Sequence, residues 1–107
     1  MANVVVWFQV PTADNDKVPH ARQLWTALET DLLVRFGGLT RGHNVAGAWR
    51  DETTGTVYRE PSRTYEVDVP EDRLFETLAL LQGACATFKQ FCLRVKIGSR
   101  AFYLAPV

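Results

Sequence analysis

The chain has 107 residues, with 12 basic and 12 acidic side chains and a formal net charge of zero; 47% of it is hydrophobic and 22% charged. That length fits one domain, 1–107, with one ordinary core, and the composition excludes a disordered chain. A neutral surface lacks the field that draws polyanions, so nucleic acid is not an expected partner.

Residues 4–10, Val-Val-Val-Trp-Phe-Gln-Val, are β-branched and aromatic and stop at Pro11, which predicts a central strand. After a polar loop, Pro19 suits a first helical position, and Ala21, Leu24, Trp25, Leu28, Leu32 and Phe36 recur at helical spacing. Gly37-Gly38 closes that helix. Leu39 to Arg50 reads as a less regular strand, Asp51 to Gly55 as a turn, and Thr56 to Val69 as the returning strand of a hairpin. Pro61 predicts a bulge or break in the returning arm. Pro70 opens a second helix, whose apolar stripe is Leu74, Phe75, Leu78, Leu81, Cys85 and Phe88. A last strand follows from about Phe91 to Ile97, and the tail, 98–107, is apolar enough to dock or to add a short strand. The order predicts an α+β, ferredoxin-like βαββαβ sandwich: four antiparallel strands in the order 4-1-3-2, with two helices on one face.

The period of two sends Val6, Phe8 and Val10 toward the helices and Val5, Trp7 and Gln9 away from them. The same parity sends Glu66 and Asp68 outward on one side and Arg94 and Lys96 outward on the other. An exposed tryptophan between acids and bases suits a contact between copies of the chain, so a homodimer is expected through this face, with a trimer or tetramer as variants.

Candidate chemistry is sparse. Arg59-Glu60-Pro61-Ser62-Arg63 gathers two bases, an acid and a hydroxyl. Glu60 is a candidate general base, with Arg59 or Arg63 as anion anchor and Ser62 orienting a ligand; a solvated strand with ion pairs is the plainer reading. His43, beside Gly42, is the second candidate base. Trp49 and Tyr58 flank the hairpin turn as candidate ligand contacts, on faces that depend on the turn length. The two histidines lack companions at metal-ligand spacing, and no phosphate-cradling loop is present, so no metal or cofactor is expected. Cys85 and Cys92 read as reduced thiols. No apolar run approaches the roughly 20 residues of a membrane helix. The opening Met1-Ala2-Asn3 lacks a basic, apolar leader, so a cytoplasmic protein without a membrane partner is expected.

The segments Gly38-Leu39-Thr40, Gly47-Ala48-Trp49-Arg50, Gly55 and Arg59-Glu60-Pro61-Ser62-Arg63 together resemble the pattern of an uncharacterised family of small bacterial domains. That resemblance implies a ferredoxin-like fold and no particular activity. More distantly, the element order is similar to that of dimeric α+β-barrel proteins, a group that holds both cofactor-free enzymes and binding proteins. The expected function is therefore a non-catalytic homo-oligomeric binding or assembly module with an apolar, tryptophan-lined site for a small ligand. The alternatives are a small cofactor-free enzyme acting on an apolar or aromatic molecule, and a metabolite-binding regulatory oligomer.

Overall fold

A computed structural model describes residues 2–107; Met1 lies outside the described residues. The elements are β1 (Asn3–Pro11), α1 (Arg22–Phe36), β2 (Thr40–Arg41), β3 (Val45–Arg50), β4 (Val57–Pro70), a single 3-10 turn (Glu71–Arg73), α2 (Leu74–Thr87), β5 (Leu93–Ile97) and β6 (Arg100–Leu104). All strand pairings are antiparallel, in the order β2-β4-β1-β5-β6, with β3 on the same edge of β4 as β2. The described residues are thus α+β, with two α-helices and a six-stranded sheet. Neither helix is long and apolar enough to cross a membrane.

This differs from a four-stranded ferredoxin order at two places. The expected second strand is divided into β2 and β3, and the tail supplies β6 beside β5. The division has a local cause. Arg41 pairs with Tyr65 and Val45 with Ser62, so three residues, Gly42 to Asn44, oppose two, Arg63 and Thr64. The extra residue makes a bulge. Thr64 holds it: its hydroxyl donates to the His43 carbonyl at 2.9 Å, and its own carbonyl accepts from the Gly42 amide at 2.9 Å. A Cβ at Gly42 would lie 2.5 Å from Thr64 Oγ1. The interruption therefore falls opposite β4, not at Pro61, which stays within a continuous 14-residue strand.

The core lies between the sheet and both helices. Val6, Phe8 and Val10 of β1 and Tyr65, Val67 and Val69 of β4 are buried against Trp25, Leu28 and Leu32 of α1, Leu81 and Cys85 of α2, and Phe88 just past its end. Phe8 and Tyr65 stack with ring centroids 5.3 Å apart. Truncating such a side chain costs about 3–5 kcal/mol, which makes this pairing a principal support of the sheet.

α1 starts at Arg22, later than Pro19 suggested, because the preceding backbone is already engaged. Val18 and His20 pair back to Asp14 and Thr12 across the loop. At the other end Gly37, at φ 80°, takes the left-handed position and donates its N–H to the Leu33 carbonyl. In α2 the buried face runs through Thr77, Leu81, Ala84 and Cys85, and Phe75, assigned to the buried stripe by spacing, points off that face and is 88% exposed.

Candidate functional site

The face of the sheet turned away from the helices carries the site. β1 stops at Pro11, opposite Ser62, while β4 begins five residues earlier, at Val57. The β3–β4 hairpin therefore extends beyond the rest of the sheet as an arm. Thr12 ties its base down, donating from its amide and its hydroxyl to the Pro61 carbonyl at 2.8 and 3.1 Å.

Between this arm and the β5–β6 side lies a groove of about 880 Å³. Trp7 and Gln9 of β1 form its floor. On the arm side are Gly47, Trp49 and Glu60; on the other are Phe91, Cys92, Arg94, Lys96 and Tyr103. Gly47 and Glu60 are direct cross-strand partners. A Cβ at Gly47 would meet Gln9 Nε2 at 3.6 Å, so the missing side chain leaves room for the Gln9 carboxamide. The next pair on the same face of the arm, Trp49 and Tyr58, stacks at 4.6 Å with an 18° tilt. Tyr58 covers one face of the indole, and Trp49 remains 40% exposed.

Charge is distributed unevenly along the groove. Lys96 Nζ lies 4.4 Å, and Arg94 Cζ 5.8 Å, from the centroid of the Trp7 ring. Glu60, Glu52 and Arg50 line the groove as well. Desolvation and then the Glu60 charge push the Cys92 thiol pKa up, so Cys92 is held as a thiol. Such a groove suits a ligand with an aromatic part, a positive centre and a separate anion.

The five residues Arg59 to Arg63 do not act together, because the pleat divides them. Glu60 alone borders the groove. Ser62 is fully buried, its hydroxyl donating to the Glu60 carbonyl at 3.2 Å. Arg63 points to the helix side, 4.2 Å above the Trp25 ring and 3.7 Å from Glu29. Arg59 is exposed and borders a smaller cleft of about 340 Å³ with the loop after β1. His43 sits exposed in the bulge, outside the groove. Of the residues expected at a contact between copies, Trp7, Gln9, Arg94 and Lys96 line the groove, whereas Val5, Glu66 and Asp68 are exposed outside it. Phe91, Cys92, Gly47 and Tyr103 were not anticipated. For Tyr103 a signal existed: in a strand added by the tail, it falls opposite Arg94.

On the helix side a second polar cluster joins α1 to the sheet. The Tyr65 hydroxyl donates to Glu29 at 2.9 Å, and Arg41 and Arg63 each approach the same carboxylate at 3.7 Å. Burial, reinforced by Glu29, pushes the Tyr65 pKa up to about 12. Among the described residues no group of His, Cys, Asp and Glu gathers as metal ligands.

A two-layer α+β protein with an aromatic, charge-divided groove on its open sheet face is the class these features define. No family model matches the chain, and no curated protein matches it by sequence. Its fold is similar to that of a phage SAM (S-adenosylmethionine) lyase solved in complex with S-methyl-5'-thioadenosine: TM-score 0.75, 15% identity, covering 97% of this chain and 90% of that one. The same description applies to a phage SAM lyase in the apo state, at TM-score 0.70 and 13% identity over the same shares. At these identities the likeness is one of fold.

The comparison corrects several expectations. The resemblance to an uncharacterised bacterial family, and the more distant one to dimeric α+β barrels, give way to the fold of the phage lyase. The non-catalytic assembly module and the lean away from an enzyme are overturned as well, since the two solved structures just described, which share this fold over nearly the whole chain, are both of phage SAM lyase. The cofactor-free enzyme acting on a small molecule is the alternative this favours.

Proposed function

We propose that the protein is a cofactor-free lyase that binds S-adenosylmethionine in the open-face groove and releases S-methyl-5'-thioadenosine. The observation that carries this reading is Glu60, a carboxylate on the sheet beside Gly47 that lines the same groove as the indoles of Trp49 and Trp7. A sulfonium is a cation with apolar substituents, and aromatic faces with one carboxylate are the environment that holds it. The exposed face of Trp49 suits stacking of the adenine.

The chemistry asks little of the protein. When the carbon–sulfur bond to the four-carbon amino-acid fragment breaks, its electron pair goes to sulfur. The leaving group is then a neutral thioether that needs no proton. The fragment's own carboxylate oxygen supplies the new bond to that carbon, closing a five-membered lactone, so neither water nor a second substrate enters. Because positive charge fades along this path, a carboxylate beside sulfur holds the substrate more strongly than the transition state. Glu60 therefore acts in capture and alignment of the substrate.

Chromatography of the protein incubated with S-adenosylmethionine tests the reading. Formation of S-methyl-5'-thioadenosine, sharply reduced in Glu60→Gln, is the expected result; no product from the folded wild type overturns it. Two further parts belong to the same proposal. Free thiols at Cys85 and Cys92 suit a reducing, cytoplasmic setting. Self-association is retained for the exposed margin at Val5, Glu66 and Asp68, and light scattering that finds only monomer removes it.

A further inference from the structure

Arg94 and Lys96 project from the same face of β5, both half-buried. Neither forms a salt bridge among the described residues. Their surroundings explain why. Glu66 is the partner of Trp7 on the β4 side and Lys96 is its partner on the β5 side, so the indole stands between acid and base. Asp68 lies one pleat further off, opposite Val5. On β6, Tyr103 faces Arg94 and Ala101 faces Lys96, which brings no negative charge. Two cations are thus gathered at one end of the groove with the Trp7 ring as their platform.

We infer that Arg94 and Lys96 form the subsite for the carboxylate of the substrate's amino-acid end. This rests on the reading of the groove as an S-adenosylmethionine site. A guanidinium offers a carboxylate two parallel N–H donors, and an adjacent ammonium adds a third. The substrate then lies with its carboxylate at Arg94 and Lys96, its sulfonium toward Glu60 and its adenine toward Trp49. The nucleoside product has no carboxylate and makes none of the contacts at the basic end. Cleavage itself releases that hold.

Calorimetry with S-adenosylhomocysteine, which keeps the carboxylate, and with S-methyl-5'-thioadenosine, which lacks it, tests the subsite in wild type, Arg94→Gln and Lys96→Gln. Affinity for S-adenosylhomocysteine should fall by about tenfold or more in each variant, as for loss of a charged hydrogen bond. Affinity for the thioadenosine should change by less than about twofold, since no contact to it is removed. Unchanged binding of S-adenosylhomocysteine, or equal loss of both ligands, overturns the subsite. A wild type that forms the thioadenosine yet shows either pattern removes the inference alone. A wild type that neither forms it nor binds either ligand removes the functional reading, and the subsite with it.

Discussion

Trp7 and Lys96 stand directly opposite one another across β1 and β5, and the Lys96 ammonium lies 4.4 Å from the centre of the indole ring. The tryptophan is therefore a platform for a cation as well as an apolar surface. Replacing it with leucine keeps the apolar bulk and removes the π face. At an exposed site a cation–π contact contributes about 0.5–1 kcal/mol. Trp7→Leu is expected to raise KM for S-adenosylmethionine by about two- to fivefold with kcat nearly unchanged. Steady-state rates of thioadenosine formation provide the check, and an unaltered KM contradicts the role given to the ring.

Glu60→Gln separates two roles for the carboxylate. If it captures the sulfonium, its loss should lower kcat/KM by about 10- to 100-fold, the equivalent of about 1.5–3 kcal/mol, and most of the change should appear in KM. A fall confined to kcat would identify a base instead.

Tyr65 links the fold to pH. Its pKa is raised from 10.0 to about 12 because burial and Glu29 both disfavour the phenolate. The folded state thus holds its proton over a range where the unfolded chain has lost it. The contribution is complete below pH 10 and is lost as pH rises toward 12. Tyr65→Phe should show a shallower decline than wild type across that window, the two curves converging by about 1–3 kcal/mol. Urea titrations at a series of pH values measure it.

Gly83 occupies an interior position of α2, and a Cβ built there meets nothing within 4 Å. Gly83→Ala should stabilise the protein by about 0.5–1 kcal/mol through the unfolded chain's lost freedom. Thermal melts decide this, and a lowered Tm would mean that the helix needs the glycine for a reason the packing does not reveal.

The sequence made the sheet's two faces legible because β1 and the second half of β4 alternate without interruption. Val6, Phe8 and Val10 could only face one way once Pro11 ended the strand. The groove was harder to read. Its arm side depends on how far β4 outruns β1, which is set by where β1 stops, and no residue of β4 marks that point. Phe91 and Cys92 precede β5 without a periodic pattern. Glu60 was visible as a candidate, yet a period of two already separates Glu60 and Ser62 from Arg59 and Arg63, and grouping all five by proximity in the chain obscured this. Phe75 misled for a different reason: six residues before Leu81 in the same helix, it lies about 120° around the axis from it, so regular helical spacing turns it off the buried face.

The extra residue between Gly42 and Asn44 also sorts charge between the two sides of the molecule. With it, Arg41 shares a face with Tyr65 and reaches Glu29. Were the ladder to run on regularly from the Val45–Ser62 pair, with no bulge, Arg41 would stand opposite Glu66 and turn through the sheet. A third cation would then join the Trp7 side, and Glu29 would keep Arg63 alone. The bulge thus acts as a polarity selector, keeping a strap between layers where a regular strand would make the groove more anion-seeking.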